Sequence, residues 1–477
     1  GWYASAASAG VRIGRNLARQ CGAKLGDQRF GRLGELFPGV AQHSVAREHQ
    51  PVLPATVGLE HFGLGVHGIA VELDHQASVL EQHVGNGAER AFEVVAGGAQ
   101  FGRHVPRQGH GTLAPRGQQP GEPGQDQAQH RAQQRHRVVS IVLKALHKAN
   151  IEVILDVVYN HTYTSDSWLQ RTVPNYYYRM NNDGTFSNGS GCSNDTASEH
   201  LMFRKYMIDS VTYWASEYHI DGFRFDLMGL HDVTTMNSIR TALDNLYADG
   251  SGSQILMYGE AWDMATNCDE GTVLASQKNL KQLSDRIGAF DDTIRDAIKG
   301  STGGTDGAFI QNGSNRANLK IGIAGQSDTT TGWANVPSQC VTYASCHDNL
   351  CLYDKLVGSV YGADGKYRKR YEDLVAMNKL SAAIVITSQG IPFSLGGEEF
   401  CRSKDGDENS YASSRKENML DWENVDLYSD VIEYYRGLYK IRDAFEAFSD
   451  STAATANSIT YLSDVPEGVM GYTINNT

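Results

Sequence analysis

The sequence predicts an α/β protein built on a parallel (β/α)8 TIM barrel, of which strands 3 to 8 are recognisable. From residue 138 onward, short apolar runs alternate with amphipathic helical segments, which is typical of parallel strands joined by crossover helices. Four of the apolar runs end in clusters of Asp, Glu, His, Arg and Asn. Because a parallel barrel gathers its catalytic side chains at the carboxyl ends of its strands, these clusters predict an active site.

Composition limits the classes to which the protein can belong. A chain of 477 residues with 40% hydrophobic content can bury a large core and form two or three domains. No apolar run of about 18 residues is present, so no membrane span is predicted. The net charge of −13 argues against nucleic acid as the main partner. Seven cysteines without paired CxxC spacing favour buried thiols over metal or disulfide roles.

Residues 1–137 differ in composition from the rest of the chain. They contain one Lys, one Tyr and no Met, but 10 of the 16 His. Their net charge is +3, whereas residues 138–477 carry −16. Arg103–Arg137 consists largely of Gln, Gly, Pro, His and Arg, with few side chains that could be buried. We therefore expect residues 1–137 to be irregular or disordered and of low complexity.

Three explanations compete for this atypical segment: a genuine polar extension, a fused unrelated domain, or translation from the wrong frame or strand. We favour out-of-frame translation, because a GC-rich gene read in another frame would give this bias. Translating the nucleotides upstream of Val138 in all six frames tests the hypothesis. No starting Met and no signal-peptide pattern is visible, which leaves the localisation open between cytoplasmic and secreted.

Residues 138–450 are predicted to form the catalytic barrel without its first two strands. Its strands are predicted from short apolar runs bounded by turn residues, at Ile151–Val158, Gly222–Leu227, Ile255–Glu260, Arg286–Asp291, Cys340–Ser345 and Pro392–Leu395. Its helices are predicted from apolar residues three or four apart, at Val139–Lys148, Ser198–His219, Val233–Tyr247, Thr293–Lys299, Tyr371–Ser388 and Val431–Asp443. The polar loop Thr162–Ser198 is too long for a plain connection and is predicted to be functional.

Residues 451–477 are predicted to begin a C-terminal β-sandwich. Two short runs, Ser458–Leu462 and Val469–Thr473, have the β-branched and alternating pattern of strands. A complete barrel needs eight strands, so its first two would have to lie before Val138.

The first pair of candidate catalytic residues is Arg224 and Asp226. The alternation in F-R-F-D places both side chains on one face of a strand. An arginine keeps a neighbouring carboxylate ionised and oriented, as a nucleophile requires, although a buried structural ion pair explains the same pattern. Glu260 ends the next strand and could serve as a general acid if it is buried or lies near a second carboxylate. Trp262 could cover that acid or stack on a sugar ring.

Further polar side chains follow two other strands. His347, Asp348 and Asn349 form a triplet that can bind sugar hydroxyls, and His161 follows Asn160 at the end of the first recognised strand. Any one of these histidines alone is more often structural. Four acid-rich strand ends in one chain are harder to explain by packing, because buried charge is costly. Together they indicate a carboxylate enzyme that acts on sugars.

These segments resemble the four signature regions of the α-amylase superfamily, in their order and over roughly residues 138–476. Within the superfamily the pattern is similar to type I pullulanases. The matching segments are DVVYNHT at Asp156–Thr162, GFRFDLMGLHD from Gly222, YGEAWD at Tyr258–Asp263, SCHDNLCLYDKL from Ser345, GIPFSLGGEEF from Gly390, and Glu408–Trp422.

The resemblance implies retaining hydrolysis of α-1,6-glucosidic links in branched α-glucans such as pullulan, amylopectin and limit dextrins. It implies that Asp226 is the nucleophile, Glu260 the acid and base, and Asp348 the third acid, which binds hydroxyls of the distorted sugar. It also implies that His161, Arg224 and His347 line the same subsite, with Trp262 and Asn349 near the acceptor side. No cofactor is required on this reading.

One feature departs from the family pattern. A Tyr-Asn-Trp-Gly-Tyr-type motif, which shapes the sugar-binding floor, is expected before the first signature and is not found in residues 1–137. We therefore expect the chain as written to fold poorly and turn over little substrate. Calcium is possible through oxygen ligands of Asn160 and of the Asn181–Asp195 loop. No protein metal ligand is predicted beyond that.

Other functions remain open at this stage. Isoamylase-type or glycogen-debranching activity is the nearest enzymatic alternative. An inactive fragment or a non-catalytic glucan-binding protein is the alternative of another class. The substitution Asp226→Asn separates these classes, because an enzyme would lose turnover and keep binding.

Overall fold

The computed structural model describes residues 139–474 except 328, 329, 451, 453, 455, 456 and 467, together with the backbone of Ala70–Glu72. Residues 139–151 and residues 152–474 belong to two different compact units, and Ala70–Glu72 belong to the second. Residues 139–148 form a helix, α1, as the sequence predicts.

Parallel strands form the centre of the second unit. In chain order they are β1 (Ala70–Glu72), β2 (Ile154–Val157), β3 (Gly222–Phe225), β4 (Leu256–Gly259), β5 (Gly288–Phe290), β6 (Cys340–Thr342) and β7 (Ile391–Leu395). Strands β2 to β7 lie side by side in chain order, and every pair is parallel. The strands with their crossover helices curl into part of a barrel, so the predicted incomplete (β/α)8 barrel is confirmed.

The described helices connect these strands and cover their outer face. They are α2 (Trp168–Thr172), α3 (Leu201–Tyr218), α4 (Val233–Asp244), α5 (Asp292–Lys299), α6 (Phe309–Asn312), α7 (Arg316–Ile323), α8 (Leu352–Tyr361), α9 (Glu372–Thr387), α10 (Arg415–Asn418), α11 (Asn424–Leu427) and α12 (Ser429–Ala444). Side-chain caps fix the starts of α4 and α5: Asp232 accepts from the N–H of Thr235, and Asp291 accepts from the N–H of Thr293.

One sequence expectation needs correction. Residues 1–137 were expected to be irregular, but the three residues of β1 pair in parallel with β7. The long polar loop after β2 contains α2 and two isolated bridges, Tyr178–Thr196 and Met180–Phe186. The prediction that this loop is functional stays a prediction. The six predicted strands and six predicted helices are confirmed, with ends that shift by one to three residues in most cases.

An aromatic floor fills the barrel interior below the strand ends. We give this name to a buried cluster drawn from four successive strands and the residue just after β6: Tyr258, Phe290, Val341, Tyr343 and Phe393. The ring of Phe290 contacts Tyr343 and Phe393 edge-on, with centroids 5.0 and 5.2 Å apart. A larger apolar cluster lies between the barrel helices, from Ile294 on α5 to Leu438 on α12. Bulky strand residues therefore support the carboxyl ends of the strands from below.

The end of the described chain forms an antiparallel pair, β8 (Ile459–Tyr461) with β9 (Tyr472–Ile474). The hydroxyls of Tyr461 and Tyr472 donate to the carbonyls of Lys320 and Thr387, which joins the pair to α7 and α9. The two predicted strands are confirmed, whereas the predicted domain boundaries at residues 137 and 450 stay predictions. In the described part of the chain, every helix is too short or too polar to cross a bilayer.

Candidate active site

A single buried arginine contacts carboxylates at the ends of three neighbouring strands. Arg224 Nη1 lies 2.8 Å from Asp156 Oδ1 and 3.1 Å from Asp226 Oδ1. Its Nη2 lies 2.5 Å from Glu260 Oε1. Arg224 is 2% exposed, so its guanidinium is shielded from water. Arg224 was predicted as a substrate-binding residue, and its position makes it the clamp that holds two predicted catalytic acids.

The strand register explains why Asp226 and Glu260 meet. Arg224 of β3 is paired with Tyr258 of β4, so the acids two residues further along lie opposite one another. The ladder continues past the strand ends, because the N–H of Glu260 donates to the carbonyl of Phe225 at 3.1 Å. Neighbouring strands are about 4.8 Å apart. The backbones of the two acids therefore lie side by side, and both carboxylates contact the same Arg224 guanidinium.

Asp226 is held on its other side by Asn160. The amide Nδ2 of Asn160 donates to Asp226 Oδ2 at 2.9 Å and to its backbone carbonyl at 2.8 Å. The amide oxygen lies 2.6 Å from Nδ1 of His161. Burial lowers the pKa of His161, and the charges of Asp226 and Asp195 oppose the shift. His161 is thus favoured as a neutral imidazole beside the nucleophile candidate.

Glu260 is the more deeply buried acid of the pair. Its Oε2 accepts the N–H of Leu227 at 3.0 Å. Burial raises the pKa of Glu260 to about 7, and the charge of Asp226 adds to the shift, whereas Arg224, His347 and the Leu227 N–H oppose it. A carboxyl with this pKa keeps a proton to donate near neutral pH, which is the property that a general acid needs.

The turn that directly follows Asp226 depends on close backbone contacts with the segment that carries Glu260. Leu227 has a φ of 40°, a left-handed conformation that is costly for a residue with a side chain. Gly229 donates to the carbonyl of Glu260 at 2.8 Å, and a Cβ there would lie 2.0 Å from the carbonyl oxygen of Trp262. A side chain at position 229 would therefore displace the segment that carries Glu260.

The third acid lies beyond β6 in a more open position. His347 is buried, whereas the side chain of Asp348 is 51% exposed, and His347 Nε2 lies 3.5 Å from Asp348 Oδ1. One potential ligand atom from each of Glu260, His347 and Asp348 falls within 4.8 Å of the others. Lys404 Nζ fixes the turn by donating to the carbonyl of His347 at 2.8 Å. Asn349 follows with a φ of 65° and is half-buried.

Trp262 forms an aromatic wall beside Glu260. It is half-buried and packs against the aromatic floor. The guanidinium of Arg295, from α5, lies over its ring at 5.9 Å from the centroid. The structure thus gathers Asp226, Glu260, Asp348 and the predicted binding residues at one end of the sheet.

Sequence reasoning missed three contributors to this site. Asn160 was noticed only beside His161 and as a calcium ligand, although its place in DVVYNHT was a usable signal. The left-handed Leu227 gave no signal, because leucine rarely adopts that conformation. Arg295 lies inside a helix rather than at a strand end, so the pattern of strand-end clusters could not find it.

The predicted calcium ligands are already hydrogen-bonded within the protein. Asp195 accepts from the hydroxyls of Ser187 and Thr266 and from the N–H groups of Gly189 and Ser190, at 2.6 to 2.9 Å. A cation at Asp195 would have to replace some of these contacts. Among the residues that the structure describes, the group of acids and histidines close enough to hold a cation is Glu260, His347 and Asp348. Calcium binding at Asn160 and the Asn181–Asp195 loop stays a prediction.

No protein-family model matches the chain. The pullulanase of Bacillus subtilis (strain 168) is 37% identical over 336 residues, which span 68% of this chain and 44% of the relative. The crystal structure of the pullulanase of Paenibacillus barengoltzii, in complex with maltohexaose and α-cyclodextrin, superimposes with a TM-score of 0.65. It is 39% identical and matches 71% of this chain and 51% of that one.

A more distant relative is the glycogen operon protein GlgX homolog of Mycobacterium bovis, 27% identical over 342 residues, which are 64% of this chain and 45% of the relative. The chain thus spans about half the length of the relatives that it matches. Over the part of its length that these relatives match, the chain belongs to the type I pullulanase family, within the α-amylase superfamily.

Proposed function

We propose that this protein is a retaining glycoside hydrolase that cleaves α-1,6-glucosidic branch links in pullulan, starch or related α-glucans. One observation carries the proposal: Asp226 and Glu260 stand opposite each other on neighbouring strands, bridged by the Arg224 guanidinium. Two carboxylates on adjacent strands that share one guanidinium, one of them with a raised pKa, support a double displacement. The likeness to pullulanases selects the branch link as the bond.

The first chemical step uses the two buried acids. Asp226, oriented by Arg224 and Asn160, attacks the anomeric carbon and forms a covalent glycosyl ester. Glu260 gives its proton to the departing glycosidic oxygen in the same step. The leaving glucan departs as an alcohol, and Glu260 becomes a carboxylate.

The second step reverses these roles. Water enters on the side that the leaving glucan vacated, and Glu260 accepts a proton from it. The water oxygen attacks the anomeric carbon and displaces Asp226, so two inversions give net retention. Asp348, close to Glu260 yet half-exposed, would bind hydroxyls of the sugar and stabilise the positive charge that develops on the ring.

The substrate proposal also draws on the relatives. The Paenibacillus barengoltzii pullulanase was solved with maltohexaose and α-cyclodextrin, which are α-glucans. In this chain, Trp262 presents an aromatic surface beside Glu260, where the leaving glucan would lie. His161, His347 and Asn349 are proposed to bind hydroxyls of the reacting sugar. The proposal requires no cofactor, and calcium at Asn160 and Asp195 would be tested by binding titration with and without a chelator.

The proposal is tested by incubating the full chain with pullulan and with linear amylose, and by following new reducing ends. We expect slow hydrolysis of pullulan and none of amylose, with the α-anomer as the first product seen by NMR. Asp226→Asn is the negative control. Release of the β-anomer would refute the retaining mechanism, and cleavage of amylose alone would refute the linkage.

Glycogen debranching is the second candidate, favoured by the similarity to the GlgX homolog. Relative rates on pullulan and glycogen separate the two candidates. We expect the faster rate on pullulan, because the identity to pullulanases is higher, 37% against 27%. A faster rate on glycogen would make glycogen debranching the leading candidate function.

A further inference from the structure

Arg295 connects two parts of the site that come from different strands. It belongs to α5, which follows β5, the strand between β4 and β6. Its guanidinium lies 5.9 Å from the ring centroid of Trp262, in the segment after β4. It also lies 5.8 Å from the ring of Tyr343, just after β6, and donates from Nη1 to the Tyr343 hydroxyl at 2.9 Å.

The orientation of this guanidinium is fixed by a second contact. Arg295 Nε and Nη2 donate to the two oxygens of Asp296, at 2.7 and 3.1 Å. The arginine side chain is 14% exposed, so its charge is largely shielded from solvent and strengthens both ring contacts. Because Nη1 is bonded to Tyr343 and both Nε and Nη2 to Asp296, the planar guanidinium is held in one orientation near the rings of Trp262 and Tyr343.

Trp262 is restrained from the opposite side by its own backbone. The carbonyl oxygen of Trp262 would lie 2.0 Å from a Cβ at Gly229, so the two backbones are in direct contact. The main chain is thereby fixed, but the direction of the indole depends on what its ring touches. The aromatic floor supports the indole from below, and Arg295 is the charged group that contacts it.

We propose that Arg295 is a positioning residue that orients Trp262 and so sets the affinity of the site for the glucan on the leaving side. The inference rests on the proposed function, because it assigns Trp262 to that glucan. Arg295 takes no part in proton transfer or nucleophilic attack. Its loss should therefore weaken substrate binding and leave the chemical step almost unchanged.

The kinetic test replaces Arg295 with methionine, which fills similar space without charge. We expect KM for pullulan to rise roughly 3- to 10-fold, the range of a shielded cation–π contact, with kcat within about twofold. Arg295→Lys should recover part of the affinity, since it keeps the charge and loses the planar fork. Arg436→Met, an exposed arginine of α12 paired with Glu433, is the matched control and should change neither constant. A fall in kcat at unchanged KM would overturn the proposal.

A double-mutant cycle shows whether Arg295 acts through Trp262. In a Trp262→Ala background, Arg295→Met should cause no further rise in KM, because the ring that it orients is gone. Additive effects of the two substitutions would overturn the proposal.

Two measurements that need no turnover keep this inference separate from the proposed function. The first is the binding of maltohexaose to Asp226→Asn by calorimetry, which Arg295→Met should weaken by the same factor. The second is the fluorescence of Trp262, obtained as the difference from Trp262→Phe among six tryptophans. Arg295→Met should shift this emission. If the parent protein neither binds nor cleaves glucans, the proposed function fails. An unchanged Trp262 emission in Arg295→Met would instead refute the contact itself.

Discussion

The strand ends of β3 and β4 differ sharply from the strand end of β6, although all three present an acid. Asp226 and Glu260 are 8% and 5% exposed and share one guanidinium. Asp348 has a side chain that is 51% exposed and contacts His347 at 3.5 Å. On the proposed function, the first two acids are held in place before substrate arrives, whereas the third can adjust to the sugar. Electrostatic preorganisation would then be concentrated where bonds change.

This difference has a structural origin in sequence spacing. Asp226 and Glu260 each lie one residue beyond a strand, at matching register positions, so the ladder itself fixes their separation. Asp348 lies six residues beyond the end of β6, in a turn that includes the left-handed Asn349. An acid so far from its strand depends on loop contacts, such as that between Lys404 and the His347 carbonyl.

The largest effect is expected from Asp226→Asn. Removing the nucleophile should lower kcat on pullulan by on the order of 10⁴-fold or more, because no covalent intermediate can form. Initial rates of reducing-end release measure it. Asp209→Asn, which changes an exposed aspartate of α3 paired with Lys205, is the matched control and should retain full activity. Substantial activity in Asp226→Asn would disprove the assignment of the nucleophile.

Glu260→Gln should lower kcat on pullulan by roughly 10²- to 10⁴-fold, since the leaving oxygen loses its proton donor. The loss should be much smaller on a glucoside with an acidic phenol as leaving group, because such a group departs without protonation. Comparing the two substrates in one variant isolates the acid role. An equal loss on both would instead indicate that Glu260 acts mainly through Arg224.

The pH profile provides a second check on Glu260. The acid works in its protonated form, so activity should fall as pH rises through its pKa of about 7, by about tenfold per pH unit above it. An ordinary glutamate, near 4.5, would place that fall well below neutrality. In Glu260→Gln the alkaline limb should disappear from the residual activity. A limb that survives the substitution must belong to another group.

Arg224→Met should destabilise the fold by about 3–5 kcal/mol, because it leaves buried carboxylates without their counter-charge. Urea unfolding followed by circular dichroism measures the free energy. Arg436→Met, which breaks only an exposed pair with Glu433, should cost less than about 1 kcal/mol. Equal losses in the two variants would show that the clamp contributes nothing beyond a surface ion pair.

The smallest effect on stability is expected from Asp348→Asn. Its half-exposed side chain should contribute within about 0.5 kcal/mol to the free energy of unfolding, while turnover still falls. The two readouts together sharpen the contrast between the buried pair and the open third acid. A loss of stability as large as that of Arg224→Met would mean that Asp348 is as preorganised as the other two acids.

The sequence by itself determined the alternation of strands and helices, the six strands β2 to β7, and the three acids at their carboxyl ends. It could do so because apolar runs and helical periodicity are local signals, and because the acids directly follow such runs. The resemblance to a known family then gave each acid a role. Among the described residues, the prediction of irregular structure was wrong at Ala70–Glu72, since a three-residue strand is defined by its partner β7 and not by its own pattern.

Only the tertiary structure decided how these residues act on one another. Register between β3 and β4 set Asp226 opposite Glu260, and burial raised the pKa of Glu260. The Arg224 clamp and the contact of Arg295 with Trp262 join residues up to 68 positions apart. The turn at Leu227 rests on a left-handed conformation that leucine rarely adopts. Such contacts depend on distances and dielectric surroundings, which a linear pattern of residue types does not contain.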